Sequence, residues 1–345
     1  MEKYTAIDLF SGAGGLTVGL KKAGFKVLAG VEINDIAVKT YKLNHRKSRL
    51  YTTDIRGISP ESMMKDLGIE KGSLDLLAGC PPCQGFSTHR TRNKATSVSD
   101  TRNELIFDFV RFVKGMLPKT IMLENVPGLA KDRNMQIAIN SLKELGYQFD
   151  DHTVAVRDAA NYGVPQRRRR MIMLASRYGH VEAPEPSNSR KTVREAIGDL
   201  ESPNNSNDPL HNLIVKRSAK VQEMIAAVPK NGGSRTDLPK KYWLPCHLKS
   251  PHSYTDVYGR MSWDTVSPTI TGGCHQPSKG RFIHPEEDRA ITLREAALLQ
   301  TFPKKYKFSL TKGKDAVALM IGNALPPEFI RRQAKSLTKH LDQIR

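Results

Sequence analysis

Short apolar runs alternate with helix-like stretches through the first half of this 345-residue chain, and that rhythm restricts the fold more than any other feature. Residues 4–10, 27–32, 74–79, 120–123, 153–156 and 171–175 read as strands, and 16–22, 36–43, 104–116 and 136–145 as helices. Strand and helix in turn specify an α/β fold with a doubly wound sheet. Residues 177–288 break the rhythm. They hold 11 of the 20 prolines and 6 of the 10 histidines, with polar stretches such as 201–209, and read as a smaller, loop-rich domain inserted before the chain returns to the first. The expected organisation is a first domain over 1–176, the inserted domain over 177–288 and a return over 289–345.

An ordinary composition, 39% apolar and 26% charged, excludes a disordered chain, a collagen-like repeat and a disulfide miniprotein. No run approaches the roughly 18 apolar residues of a membrane span. Met1-Glu2-Lys3-Tyr4 enters an apolar alternation without the pattern of a secretory signal, so a cytoplasmic protein away from membranes is expected. Cys80, Cys83, Cys246 and Cys274 are too few for a disulfide framework, and the question is whether one of them is reactive. The formal net charge of +19 suggests a polyanionic partner. Its distribution is uneven: 177–288 carry 15 basic and 13 acidic residues, whereas 289–345 carry 12 and 4.

The first strand runs into Ser11-Gly12-Ala13-Gly14-Gly15-Leu16. Glycines at such a turn let the backbone pass close to a ligand over the carboxyl end of the sheet, where open α/β folds bind cofactors. The spacing differs from the G-x-G-x-x-G of dinucleotide binders, because Gly14 and Gly15 are adjacent and position 17 is Thr17; this argues against a nicotinamide dehydrogenase. Glu32 ends the next strand about 20 residues on, where a carboxylate can accept both ribose hydroxyls. Asp54 could bond an adenine amine while Ile55 covers the ring, although an Asp after a strand also reads as a turn cap.

The strand at 74–79 ends in Gly79-Cys80-Pro81-Pro82-Cys83-Gln84-Gly85-Phe86-Ser87. Two prolines fix the backbone directly before Cys83 and present its thiol beside a polar segment running to Asp100. Cys80-x-x-Cys83 also fits a redox or half-metal motif, but Cys246 and Cys274 make no second pair of that spacing, and no metal is expected. Cys80 itself reads as a small buried core residue. Glu124-Asn125-Val126 reaches the same sheet edge, where partial desolvation should raise the carboxyl's pKa and suit it to donate or share a proton. A buried ion pair with Arg170 is the other reading. In Gln166-Arg167-Arg168-Arg169-Arg170 an extended backbone puts Arg168 and Arg170 on one face with Gln166.

In order and spacing these motifs resemble the DNA (cytosine-5)-methyltransferases of bacteria and phages. The resemblance spans almost the whole chain except about 177–255. It rests on Asp8-Leu-Phe-Ser-Gly-Ala-Gly-Gly-Leu16, Glu32, Asp54, Pro82-Cys-Gln-Gly-Phe-Ser87, Glu124-Asn-Val126, Gln166-x-Arg-x-Arg170, Arg289-x-Ile-Thr-x-Arg-Glu-Ala-Ala-x-Leu-Gln-x-Phe-Pro303 and Gly322-Asn-Ala-Leu-Pro-Pro327. Met320 departs from it, standing near where the family often has Gln before Ile-Gly-Asn.

The resemblance implies a Rossmann-like methyltransferase sheet with 177–288 as a target recognition domain. It implies S-adenosyl-L-methionine as cofactor and S-adenosyl-L-homocysteine as product. Phe10 would lie against the adenine, the backbone of Gly12, Gly14, Gly15 and Leu16 by the methionine part, Glu32 on the ribose and Asp54 with Ile55 at the adenine. Ile33, Pro82, Leu105, Asn323 and Ala324 would complete the pocket. Cys83 would add to C6 of cytosine, Glu124 would hold or protonate N3, and Arg168 and Arg170 would stabilise charge near O2.

That chemistry needs a cytosine flipped out of the duplex. The segment 84–103 then reads as a lid, with Gln84, Ser87, Arg90 and Arg92 on DNA. Arg260, Trp263 and His275 read as groove or phosphate contacts, Trp263 equally as a core anchor. A closing helix from Glu328 would turn Arg331, Arg332 and Lys335 to solvent or nucleic acid. Double-stranded DNA is the expected partner, a monomer the expected state and a restriction endonuclease the functional companion. The rival readings are a transfer-RNA cytosine-5 methyltransferase and a catalytically silent DNA-binding regulator.

Overall fold

The computed structural model describes residues 3–82 and 104–344. They fall into two compact units. The first runs to Tyr162, takes in Arg169–Pro186 and resumes at Leu325; the second comprises Gly163–Arg168 and Ser187–Ala324. The return therefore begins at Leu325 and not at 289. The reason is packing: helix Leu293–Leu299 lies against helices Gly313–Asn323 and Val193–Ile197, all within the second unit.

Among the described residues, seven strands form one sheet in the first unit: β1 (Tyr4–Leu9), β2 (Phe25–Val31), β3 (Arg49–Tyr51), β4 (Leu76–Gly79), β5 (Thr120–Asn125), β6 (Val154–Asp158) and β7 (Arg169–Ser176). Their order is β3-β2-β1-β4-β5-β7-β6. The first five run parallel, and β7 lies antiparallel between β5 and β6. Helices α1 (Gly15–Ala23), α2 (Asp35–Asn44), α3 (Pro60–Leu67), α4 (Leu105–Met116) and α5 (Arg133–Glu144) join them. Every residue of β4 and β5 is buried, as parallel strands covered on both faces require. Ile7, Leu9, Phe109, Phe112, Met116 and Ile121 fill the core. Strand order reverses between β1 and β4, which opens the crevice where such sheets bind ligands.

β3 and α3 escape the sequence pattern. β3 is three residues long and α3 begins at Pro60 after a Ser59 cap, in a stretch with few apolar positions. The closing helix, Pro327–Gln343, packs on α1. The second unit is loop-rich, as its prolines suggest, around Met224, Ile225, Val228, Leu238, Tyr258 and Ile283. Among the described residues no helix is long and apolar enough to cross a membrane.

Candidate active site at the sheet edge

Past β1 the chain turns through Phe10, Gly12 and Gly14, all with left-handed φ of 63°, 54° and 91°, and Gly14 caps α1 without a side chain. Left-handed backbone favours glycine; Phe10 is a non-glycine exception of the kind that gathers at functional sites. A Cβ on Gly12 would meet nothing within 4 Å among the described residues. Glu32 is oriented over the turn: Oε2 accepts from Gly12 N at 2.8 Å and Oε1 from Asn34 N at 2.7 Å. Both oxygens keep a lone pair for a further donor. Ile33 is 59% exposed, Leu16 and Ile55 are buried, and Leu105 opens α4 half-buried. Asp54 accepts from Arg56 N at 3.0 Å and grips the Arg56 guanidinium at 2.5 Å, which holds its carboxyl down at about 2. Asp54 thus caps a turn, as one of its two sequence readings has it, and remains a partly exposed carboxylate.

Asp8 lies fully buried under this turn. Its Oδ2 accepts from Thr17 Oγ1 at 2.5 Å, and the Tyr41 hydroxyl is 3.0 Å from the same Thr17 oxygen. Burial pushes the carboxyl up to about 7, the Thr17 hydrogen bonds oppose the rise and the Glu32 charge adds to it. Sequence reasoning passed over Asp8 as a motif letter; the available signal was an acid inside an otherwise apolar strand.

The second cluster sits where β4, β5 and β7 adjoin. Glu124, 1% exposed, is the penultimate residue of β5; its Oε1 is 2.9 Å from Arg170 Nε on β7, and its Oε2 accepts from the Cys80 thiol at 2.8 Å. Asn125 donates through Nδ2 to Pro81 O at 2.9 Å while its Oδ1 accepts from Val126 N at 2.8 Å, so the chain leading to Cys83 is tied to the end of β5. Cys80 is half-buried and spends its thiol on Glu124, which corrects the reading of it as a core residue. Pro82 is exposed. Cys83, Gln84, Ser87, Arg90 and Arg92, with the rest of the expected lid, lie outside the described residues.

Residues 4–339 match the family of C-5 cytosine-specific DNA methylases. The chain belongs to that family. It is 35% identical to the Type II methylase M.HgiDII of Herpetosiphon aurantiacus, over 97% of this chain and 95% of that one. Among solved structures, a protein described as a DNA modification methyltransferase of an Escherichia coli prophage matches with a TM-score of 0.75 at 24% identity, covering 99% and 100% of the two chains. DNMT2 of Spodoptera frugiperda, solved as a mutant, matches at 0.67 and 17% identity, covering 97% and 100%. These two likenesses establish the Rossmann-like methyltransferase fold.

In this DNA (cytosine-5)-methyltransferase the arginine run alternates as expected: Gln166 and Arg168 are buried, Arg167 and Arg169 exposed. The two arginines expected beside the cytosine nevertheless part company. Arg170 joins Glu124, whereas Arg168 donates to Ile270 O at 3.1 Å and Gly322 O at 2.9 Å, bracing the second unit. Arg260 is a correction as well. It is fully buried, and its nitrogens serve the carbonyls of Ile225, Val228, His284 and Glu287 and the Asp288 carboxylate, leaving it no reach to DNA. His275 is buried and paired with Asp315 at 2.8 Å, while Trp263 packs edge-on to His284 and under Arg194, as an anchor does. Asn323, exposed, ends helix Gly313–Asn323 and Ala324 caps it, both in the second unit. Arg331 and Arg332 are paired with Glu328; Lys335 is exposed.

Proposed function

We propose that this methyltransferase moves a methyl group from S-adenosyl-L-methionine to C5 of a cytosine flipped out of a specific double-stranded DNA sequence, through a covalent Cys83 adduct at C6. The observation that carries this reading is Glu124, a carboxylate buried at the sheet edge between Arg170 and Cys80, on the strand whose next residue ties down the Pro81 backbone just ahead of Cys83. The turn at Gly12 and Gly14 and the oriented Glu32 fit the cofactor. When bound, S-adenosylmethionine supplies a methyl group on a positively charged sulfur and leaves as S-adenosyl-L-homocysteine. Glu32 would hold its ribose and Asp54 its adenine amine, with Phe10, Gly15, Leu16, Ile33, Ile55, Pro82 and Leu105 as further pocket residues.

Cytosine C5 is a weak nucleophile until a thiolate adds to C6, forming a C–S bond and pushing charge toward N3 and O2. Glu124 holds or protonates N3, and Arg170 offsets the charge; a carboxylate this deeply buried persists only with such partners. Once C5 is methylated, loss of its proton and of the Cys83 sulfur restores the aromatic ring. A base stacked in duplex DNA is out of reach, so flipping, at about a few kcal/mol, precedes all of this. On this reading the second unit recognises the target, and the protein acts as a cytoplasmic monomer alongside a restriction endonuclease of matching specificity.

Transfer of a tritiated methyl group, offered duplex DNA and transfer RNA in parallel, tests the proposal. Label is expected on DNA alone, with Glu124→Gln slower by about 10²-fold or more, the usual worth of a placed acid or base. Label on RNA alone would point to the rival substrate.

A further inference from the structure

Cys80 is a thiol that the methyl-transfer reaction leaves unused, and its surroundings give it a task. Its Sγ donates to Glu124 Oε2 at 2.8 Å, while the Arg170 guanidinium forms an ion pair with Oε1 at 2.9 Å, so the carboxylate meets a hydrogen-bond donor at one oxygen and a positive charge at the other, each from a different neighbouring strand end. The backbone that aims the thiol is fixed on both sides: Cys80 N donates to Leu9 O at 3.3 Å, and Asn125 Nδ2 holds Pro81 O at 2.9 Å. The Arg170 charge draws the carboxylate without fixing its plane, and the directional hydrogen bond from the Cys80 thiol supplies the orientation.

We propose that Cys80 is a positioning residue for Glu124, its thiol occupying Oε2 until an N–H of the cytosine ring edge takes its place. The proposal rests on the role of Glu124 at cytosine N3. No covalent bond changes: one donor to Oε2, S–H, is exchanged for another, N–H, and the released thiol keeps its proton. Serine can make the same donation from the same position, and alanine cannot.

Three measurements on the full-length protein test this. Cys80→Ala should lower kcat for methyl transfer about tenfold, the worth of one hydrogen bond to a charged group, with KM for S-adenosylmethionine unchanged. Cys80→Ser should recover most of the loss. Alkylation of Cys80 by iodoacetamide, located by mass spectrometry, should be several-fold faster in Glu124→Gln than in the wild type, because the negative neighbour that suppresses the thiolate is gone while Arg170 remains. Wild-type kcat in Cys80→Ala, a serine variant as slow as the alanine one, or alkylation indifferent to Glu124→Gln would each overturn the proposal. Full activity in Cys83→Ala would instead remove the covalent mechanism, and the alkylation result would still report on the hydrogen bond between Cys80 and Glu124.

Discussion

A carboxyl taken wholly out of water does best by keeping its proton, and Asp8 is in that position beneath the glycine turn, bonded to the neutral Thr17 hydroxyl with the negative Glu32 nearby. Folding raises its affinity for a proton from the ordinary value of 3.8 to about 7. The stability this contributes is complete below pH 4 and is lost as the pH rises toward 7, up to about 4 kcal/mol at 1.36 kcal/mol per pKa unit. Asp8→Asn imitates the protonated form and should escape that loss. Melting temperatures near pH 5 and pH 8 should therefore show the wild type falling relative to Asp8→Asn; parallel curves would place the charged form in the fold. Single residues were legible where chemistry follows from position along a strand. Glu124 at a strand end and the alternation of the arginine run are of that kind. That Arg168 meets the carbonyls of Ile270 and Gly322 depends on which distant backbone arrives beside it, and no local pattern encodes that. The Cys80 thiol direction and the burial of Arg260 were hidden for the same reason.

Helix α1 carries the glycine turn at its start and rests on the closing helix, so its seating governs that turn. Gly19 lets the two helices touch: a Cβ there would stand 2.5 Å from Ile330 Cβ and 2.7 Å from Pro327 O. Two effects oppose each other in Gly19→Ala. Alanine favours helix over glycine by about 1 kcal/mol, while forcing an atom into a packed interface costs about 1–3 kcal/mol. With backbone oxygen among the clashing atoms the second effect prevails, and urea titration should show Gly19→Ala less stable than the wild type. A variant of equal or greater stability would mean that the helices part without cost. The strand-helix rhythm revealed most of these elements because their apolar runs are long. It missed β3 and α3, one too short and the other too polar, and the return at 289 came from the family resemblance and from the change of composition after 288, neither of which reports which unit a segment packs into.

The charge of the whole molecule is now attached to surfaces. Lys304, Lys305, Lys307 and Lys312 are exposed on a segment whose Phe302, Tyr306 and Phe308 rings pack together with centroids 4.8–5.3 Å apart, turning the lysines outward. Arg331 and Arg332 are paired with Glu328. The four exposed lysines lie close together in sequence and form a candidate phosphate-attracting group. Replacing all four with Gln should lower the salt dependence of DNA binding by about 0.9 in log–log slope for each phosphate no longer neutralised and leave the methylated sequence unchanged. An altered target would place sequence reading in this segment. Covalent methylation of cytosine in DNA by Cys83, on which the whole mechanism turns, is tested most directly by trapping. Duplexes of randomised sequence carrying 5-fluorocytosine are incubated with the protein and S-adenosylmethionine and run on a denaturing gel, since fluorine cannot leave as a proton and the C–S bond persists. The wild type should form a stable protein–DNA adduct and Cys83→Ala none; no adduct with the wild type, or an adduct that survives Cys83→Ala, would contradict the mechanism.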